Sequence, residues 1–315
     1  MNKVTVGIDT SNYTTSCAIC SLDGKILENF KILLPVKKGE NGLRQSDAVF
    51  AHTKNFQGIA NLIREKHADY EIAAVGYSAF PRDIEGSYMP CFLVGQSICE
   101  MISSLYSIPA FRFSHQLGHI RAAMYSSGFT PEGKFIAFHV SGGTTEIVLV
   151  NNENDSYNVT LLGGSNDLHA GQAIDRMGVK MGLKFPCGKE IESLASKNTD
   201  KIPKPKISVD GYFCNLSGLE NLATKIYNET ANKSLTSAYI LDFIGMTLEK
   251  LVLNLRSSLH YPIIFAGGVM SNRIIRNKLK KFDNVYFSEP EFSSDNAAGI
   301  ALLTCEEYLR SKNEI

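Results

Sequence analysis

The sequence has no excess of either charge sign, because 32 lysines and arginines balance 32 aspartates and glutamates over 315 residues. A protein that binds nucleic acid by itself usually carries a basic excess, since neutralising phosphates supplies most of its affinity. The balance therefore argues against a chain that binds nucleic acid alone. A hydrophobic content of 44% and a charged content of 20% are typical of a globular protein.

Long apolar runs and a leader-like start are also missing. No run approaches the roughly 20 apolar residues of a bilayer span, and MNKVTVGIDT begins at once with a strand-like pattern. The seven cysteines are scattered through apolar segments, and the C-x-x-C pair Cys17 and Cys20 has no second pair to complete a zinc site. We therefore expect a cytoplasmic protein without membrane contact, whose cysteines are mostly core residues.

A repeated pattern indicates how the chain is organised. A β-branched run ending at Asp9, a hydroxyl-rich turn and a second apolar run predict a hairpin. The same order returns near residue 135 in FIAFHV, SGGTT and EIVLV. Helical periodicity follows each copy, over 52–66 and over 169–183. The length predicts two domains, and the alternation of strands and helices predicts a mixed α/β fold.

The later part of the chain predicts a parallel sheet. Leu241 to Leu259 mark one face of a long buried helix, which is followed by the strand PIIFAGG and a helix that begins near Ser271. That order places a ligand crevice at the carboxyl edge of the strands. The stretch 197–211 is polar and contains prolines and lysines, so we interpret it as a surface excursion.

Two glycine turns are candidate anion sites. The turn SGGTT at 141–145 lets the backbone approach a phosphate, although a plain hairpin turn is the alternative. Gly267 and Gly268 follow a strand and precede a helix, whose N-terminus favours a nucleotide or another anion. Two such turns on a duplicated chain that opens with Asp9 are more informative than either turn alone.

Together these features resemble the fold of actin, the sugar kinases and the Hsp70-type ATPases, the ASKHA superfamily. The resemblance implies two RNase-H-like lobes with a nucleotide cleft between them, and it implies no reaction by itself. We expect the N-terminal lobe to span residues 1–131, joined by a C-terminal helix at about 300–315. We expect the C-terminal lobe to span residues 132–299.

A candidate metal site begins with His115 and His119, whose spacing in HQLGH places both imidazoles on one helical face. Two exposed polar histidines are the alternative. An open site needs a further carboxylate, and Asp295 in SSDNAAG is the candidate, although a helix cap would also explain it. Gln116 and Leu117 stand where the H-E-x-x-H motif needs its glutamate, so a metallopeptidase is disfavoured.

Seven motifs occur in the order HQLGH, VSGGTT, AGQAIDR, LKFPCG, LSGL, AGGVMSNR and SDNAAG. In this order, over nearly the whole chain, they resemble the TsaD family of tRNA N6-adenosine threonylcarbamoyltransferases, once described as O-sialoglycoprotein endopeptidases. The resemblance implies metal-dependent transfer of the threonylcarbamoyl group from threonylcarbamoyl-AMP to N6 of adenosine 37, next to the anticodon, in tRNAs that read ANN codons.

The resemblance also implies roles for individual residues. His115, His119 and Asp295 would hold one divalent metal, Fe²⁺ or Zn²⁺. The adenylate, or ATP as a ligand, would be bound by His139, Val140, Ser141, Gly142, Gly143, Asp175, Gly188, Gly267, Gly268 and Asn272. His139 is also a candidate fourth metal ligand. Asp9, His52 and Asp175 are the candidate catalytic residues.

Departures from the family pattern concern acidic residues. Family members read E-T-S-C-D-E-T where this chain reads DTSNYTT from Asp9 to Thr15, and D-D-A-A-G-E has become DLHAGQ at 167–172. These losses predict a divergent paralogue. Two alternatives to threonylcarbamoyl transfer therefore stay open: a nucleotide- and metal-binding scaffold or regulatory subunit, and a carbamoyl or phosphoryl transferase that acts on a small molecule.

The implied partner is tRNA, bound with the help of partner subunits because the charge balance leaves little basic surplus. TsaB-like and TsaE-like proteins and a dimer formed through the N-terminal lobe are further hypotheses. Two basic clusters could contact RNA locally, one between Arg273 and Lys281 and one between Lys197 and Lys206. A solvated face is the alternative interpretation of either cluster.

Overall fold

The computed structural model describes residues 2–11, 13–35, 43–66, 69–153 and 156–313, which fold into two α/β units. The first unit comprises the described residues up to 128 together with 294–313, and the second comprises those of 129–293. Among the residues that the structure describes, no helix combines the length and apolarity needed to cross a membrane.

The elements of the first unit alternate in type after an initial run of strands. They are β1 (Asn2–Ser11), β2 (Thr14–Ser21), β3 (Ile26–Leu33), α1 (Gln45–Glu65), β4 (Tyr70–Phe80), α2 (Phe92–Tyr106), β5 (Ala110–Ser114) and α3 (His115–Ser127). The second unit repeats the initial run of strands. Its elements are β6 (Gly133–Val140), β7 (Thr145–Glu153), β8 (Ser156–Ser165), α4 (Ala170–Lys180), α5 (Gly188–Ala195), β9 (Ser208–Asp210), β10 (Phe213–Asn215), α6 (Ser217–Thr230), α7 (Lys233–Arg256), β11 (Ile263–Ala266), a 3₁₀ turn (Gly268–Ser271), α8 (Arg273–Leu279), β12 (Val285–Phe287) and α9 (Pro290–Ser293). Helix α10 (Ala298–Asn313) then returns to the first unit.

The two units share one sheet topology. In the first, the strand order is β3-β2-β1-β4-β5, with β1 to β3 antiparallel and β4 and β5 parallel to β1. In the second, β8-β7-β6-β11-β12 repeats that order and those directions, and the hairpin of β9 and β10 extends the sheet beyond β8. The duplication and the mixed α/β class predicted from the sequence are therefore confirmed.

Glycines let α10 approach the rest of the first unit closely. A Cβ atom at Gly7 in β1 would clash with the backbone of Ala301, and one at Gly299 in α10 would clash with the carbonyl of Gly118 in α3. The hydroxyl of Thr5 in β1 also donates to the carbonyl oxygen of Ala301, at 3.0 Å. Helix α10 is thus fixed against both β1 and α3, and this position also places the residues just before it.

Several helix boundaries differ from those that periodicity predicts. Helix α1 begins at Gln45 rather than at 52, and α4 ends at Lys180 because the chain turns at Gly182, whose φ is +80°. Helix α7 spans 233–256 rather than 241–259, and its start is fixed by Asn232, whose side chain accepts from the N–H of Leu235. Sequence periodicity identifies the apolar face of a helix, whereas caps and left-handed turns determine its ends.

Asp167, the first residue of the segment DLHAGQ, holds a loop in place through hydrogen bonds to its backbone. Its carboxylate accepts hydrogen bonds from the backbone N–H groups of Leu168, Leu216 and Ser217, at 2.5, 2.7 and 3.1 Å. Partial burial opposes the charged form, but the side-chain and backbone donors outweigh it and lower the pKa of Asp167 to about 2. The carboxylate therefore caps the start of α6 from a distant part of the chain.

We predict that Asp167→Asn destabilises the second unit by about 1 kcal/mol at pH 7, because the amide replaces a charged cap acceptor. The folded pKa lies below the unfolded value near 3.8, so this contribution is present above pH 4 and is lost as the pH falls toward 2. Urea denaturation at pH 7 and pH 3 measures both effects. The exposed Asp283→Asn is the control, and equal midpoints for the two variants at pH 7 would contradict the prediction.

Candidate functional site

The first unit brings His115, His119 and Asp295 together. Ser114 ends β5 and caps α3 by accepting from the N–H of Leu117 at 3.1 Å, so that the two histidines occupy the first turns of the helix. Their Nε2 atoms lie 3.1 Å apart. Oδ1 of Asp295 lies 3.2 Å from Nε2 of His119 and 3.8 Å from Nε2 of His115. Three potential metal ligands thus converge on one point.

The start of α10 has a side-chain cap from the residue that follows Asp295. The cap of α10 is the neighbouring Asn296, whose side-chain oxygen accepts from the N–H of Ala298 at 3.0 Å. Asp295 instead points toward the histidines and remains partly exposed. Because α10 is fixed against β1 and α3, the carboxylate is delivered to a defined position beside His119.

The donor set fits a divalent transition metal. Ligands placed about 2.0–2.2 Å from a tetrahedral centre are about 3.3–3.6 Å from one another, close to the three separations observed. Two imidazoles with one carboxylate suit Zn²⁺ and Fe²⁺, and three protein ligands leave positions open for substrate. The chemistry of the site is therefore that of an open centre rather than a closed structural one.

Asp9 orients the first of these ligands. The Nδ1–H of His115 donates to Oδ2 of Asp9 at 2.7 Å, and the hydroxyl of Ser78 donates to Oδ1 at 2.8 Å. A proton held on Nδ1 leaves the Nε2 lone pair available for a metal. Burial disfavours a charged His115, but Asp9 and Asp295 outweigh it and raise the pKa of His115 to about 9, so a metal that binds Nε2 near pH 7 must displace a proton from it.

Asp9 was predicted to be a catalytic residue, which stays a prediction, and its contacts favour a positioning role. Its side chain is 2% exposed and both carboxylate oxygens are engaged, so Asp9 acts on the site through His115. Ser78, on the parallel neighbour β4, was missed from the sequence. Its signal is a hydroxyl at the end of the apolar run AAVGYSAF, which only the strand order places beside Asp9.

His52 lies inside the first unit. Its Nδ1 is 2.9 Å from the hydroxyl of Thr15, which also accepts from the amide of Asn55 at 3.1 Å. Burial lowers the pKa of His52, against the opposing effect of Asp9, so the ring is neutral near pH 7. A catalytic role for His52 stays a prediction, and its full burial favours a role in holding α1 against β2.

In the second unit the two glycine turns follow adjacent parallel strands. Residues 141–144 come directly after β6, and Gly267 and Gly268 come directly after β11, which pairs with β6 in parallel. Both turns therefore lie at the same carboxyl edge, where open α/β sheets bind ligands. Gly267 has a φ of +94°, and its Cβ would clash with the carbonyl of Val140, so only glycine fits there.

The first turn is braced by the start of α4. The N–H of Ser141 donates to the carbonyl of Thr144 at 2.7 Å, and the N–H of Gly171 donates to the carbonyl of Ser141 at 3.0 Å. Thr145, which the sequence offered as a hydroxyl behind the turn, accepts from the N–H of Ala170 at 2.9 Å. A Cβ at Gly171 would lie 2.7 Å from the backbone nitrogen of Gly142. The glycine of AGQAIDR thus allows the close approach that shapes the turn.

The remaining predicted nucleotide residues fall into separate groups. Asp175 on α4 accepts from the N–H of Cys187 at 2.7 Å, beside Gly188 at the start of α5, and burial raises the pKa of Asp175. Asn272 caps α8, because its side-chain oxygen accepts from the N–H of Ile275 at 3.0 Å. His139 is buried at the end of β6 beside Gly267. Its role as a fourth metal ligand stays a prediction.

A comparison with known protein families identifies the family of this chain. Residues 46–302 match the family TsaD, described as tRNA N6-adenosine threonylcarbamoyltransferase. The chain belongs to the TsaD family. The match includes both histidines, Asp295 and both glycine turns of this TsaD-family protein, and it supports a transferase class.

Solved structures similar to this TsaD-family protein show its fold. Component A of the (R)-2-hydroxyglutaryl-CoA dehydratase of Acidaminococcus fermentans has 16% identity and a TM-score of 0.56, with 97% of this chain and 99% of that chain covered. HypF of T. kodakarensis has 12% identity and a TM-score of 0.62, with 98% and 48% covered. A ROK family protein from Streptococcus pneumoniae has 14% identity and a TM-score of 0.53, with 99% and 100% covered. These solved structures share the two-unit α/β fold of this chain, which spans about half the length of HypF.

We predict that Asp9→Asn weakens metal binding about 10- to 100-fold, because an amide beside Nδ1 no longer fixes the His115 tautomer. Titration with Zn²⁺ and the absorption spectrum of the Co²⁺-loaded protein measure affinity and ligand geometry directly. Asp23→Asn is the control, since Asp23 is exposed and pairs with Lys25. Unchanged affinity and an unchanged Co²⁺ spectrum in Asp9→Asn would contradict the orienting role.

We predict that Gly171→Ala weakens ATP binding at least tenfold, because the new methyl group displaces the backbone at Gly142. Isothermal titration with ATP measures the change. Gly218→Ala is the matched control, since a Cβ there meets no atom within 4 Å and the residue also lies near a helix start. Equal ATP affinity in the two variants would contradict the prediction.

Proposed function

We propose that this protein transfers a threonylcarbamoyl group from threonylcarbamoyl-AMP to N6 of adenosine 37 in tRNAs that read ANN codons. The observation that carries the proposal is the convergence of His115, His119 and Asp295, with Asp9 behind His115, in a chain that matches the TsaD family. Membership of the TsaD family supports a transferase. The threonylcarbamoyl group and the tRNA acceptor are what we propose in addition.

The reaction needs a positioned mixed anhydride rather than a nucleophile on the protein. N6 of adenosine forms a bond to the carbonyl carbon of the threonylcarbamoyl group. The bond from that carbon to the phosphate oxygen breaks, AMP leaves, and N6 loses a proton. A divalent cation, when bound, supplies a Lewis acid that stabilises the charge developing on the donor.

Side chains and backbone groups of the protein hold the metal ligands in place and orient them. Asp9 and Ser78 keep His115 in the tautomer that leaves Nε2 free for a metal, and α10 sets the position of Asp295. In the second unit, the turn at 141–144 and Gly267 provide a close backbone approach for the phosphate of the adenylate. Preorganised dipoles of this kind need no rearrangement as the charge develops.

A nucleotide- and metal-binding subunit without transferase activity is the second candidate. The observation that favours it is the replacement of two acidic residues by Tyr13, which precedes β2, and by Thr14, the first residue of β2. Thr14 is buried, and the neighbouring Thr15 contacts His52, so this turn offers a buried hydroxyl in place of a carboxylate. A scaffold would keep the residues that bind the metal and the nucleotide. It would lose only the acidic residues that face the reacting group.

The assay supplies unmodified tRNA, threonine, bicarbonate, ATP, the adenylate-forming enzyme and the candidate partner subunits, with mass spectrometry of the nucleosides. We expect threonylcarbamoyladenosine with the wild type and at least a 100-fold loss with His119→Ala or Asp295→Ala, since each removes a metal donor. Asp23→Asn is expected to match the wild type.

Absence of product from the wild type under these conditions would reject the transferase proposal. ATP and metal binding that persist in that same preparation would then favour the scaffold. Product formed equally by Asp295→Ala would instead show that the histidine–carboxylate cluster takes no part in the reaction.

A further inference from the structure

The two basic clusters of the sequence differ in how many of their side chains pair with acidic residues. In the cluster between Arg273 and Lys281, Lys278 pairs with Asp242 at 2.6 Å and Lys281 pairs with Glu249 at 2.5 Å. Arg276 donates to the carbonyl oxygens of Met270 and Ser288 and is half-buried. Two of the five basic side chains of this cluster are therefore paired with acidic residues, and RNA contact by this cluster stays a prediction.

The other cluster, residues 197–206, keeps its charge. Lys197, Lys201, Lys204 and Lys206 are all exposed. None of the four pairs with an acidic residue among those that the structure describes. The one acidic residue of the stretch, Asp200, accepts from the amide of Asn232 at 2.8 Å. We call residues 197–206 the lysine segment.

The lysine segment is held in place although it contains no helix or strand between α5 and β9. Ile202 and the nearby Ile207 pack against the hydrophobic core of the second unit, and Pro205 is buried. Pro203 and Pro205 also fix the local φ angles and favour an extended chain. With about 3.1 Å per residue, Lys201 to Lys206 form a line of roughly 15 Å.

The chemistry of this line favours a polyanion with regularly spaced charges. An amphipathic membrane anchor would present apolar side chains beside the lysines, whereas the isoleucines of this region are turned toward the core. The segment also follows the carboxyl end of α5, whose first residue is Gly188 beside Asp175. Eight helical residues place it about 12 Å from that predicted adenylate group.

We propose that the lysine segment binds the phosphate backbone of the acceptor RNA. The inference rests on the proposed function and adds to it the surface by which the chain holds tRNA. Lys201, Lys204 and Lys206 contact phosphates, and the contact is independent of base sequence. The lysine segment thus gives a chain with no net charge a local basic surface for RNA.

The test compares two triple variants with the same change in net charge. Lys201, Lys204 and Lys206 are changed to Gln in one, and the exposed Lys54, Lys233 and Lys250 are changed to Gln in the other. Binding of an unmodified tRNA transcript is measured between 50 and 300 mM KCl with the candidate partner subunits present at one fixed concentration, because the charge balance of the chain argues against RNA binding by the chain alone. For the first variant we expect affinity at least tenfold weaker at low salt, with a salt slope reduced by about 2 to 3. The second is expected to match the wild type.

Equal salt slopes for the two triple variants, or a wild type that does not bind tRNA, would overturn the inference. Wild-type binding to anionic phosphatidylserine vesicles in the absence of tRNA binding would identify a membrane surface instead. Failure of the proposed function gives a different result. In that case tRNA binding still depends on Lys201, Lys204 and Lys206, but the wild type forms no threonylcarbamoyladenosine. Lys206 adjoins the edge strand β9, so light scattering of each variant shows whether a loss of binding reflects aggregation.

Discussion

The hydrogen bond between Asp9 and His115 is the interaction on which the candidate metal site depends. It connects the end of β1 with the start of α3, and Ser78 on β4 secures the far side of the same carboxylate. Three elements that are distant in sequence are thereby held at one charged group. A carboxylate that is buried this deeply needs such partners, because leaving it without them costs several kcal/mol.

The second unit uses the same topology for a different purpose. Where the first unit places ionisable side chains at the carboxyl end of β1, the second places backbone turns at the ends of β6 and β11. Glycine at 171 and 267 is required there by close contact with neighbouring backbone. The first unit thus presents candidate ligands for a cation, and the second presents glycine turns of the kind that bind anions.

Much of this arrangement could be predicted from sequence, because it rests on local patterns. The HQLGH spacing, the strand–glycine–helix order near 267 and the repeated hairpin each depend on a few consecutive residues. What could not be predicted depends on strand order and packing. Ser78 reaches Asp9 only because β4 is the parallel neighbour of β1, and Asn296 rather than Asp295 caps α10. The pairing of charges could not be predicted either, since Asp242 and Glu249 lie on α7, far in sequence from Lys278 and Lys281, with which they pair.

The position of helix α10 in the sequence determines when the first unit can be completed during synthesis. The whole second unit lies, in sequence, between α3 and Asp295, so a ribosome must complete that unit before the third metal donor exists. Until then β1 lacks the helix that covers Gly7, and an apolar face of the first unit stays uncovered. The nascent chain therefore passes through a stage in which its second unit can fold while its first cannot close. The cluster of His115, His119 and Asp295 is therefore complete only after the whole second unit has been synthesised.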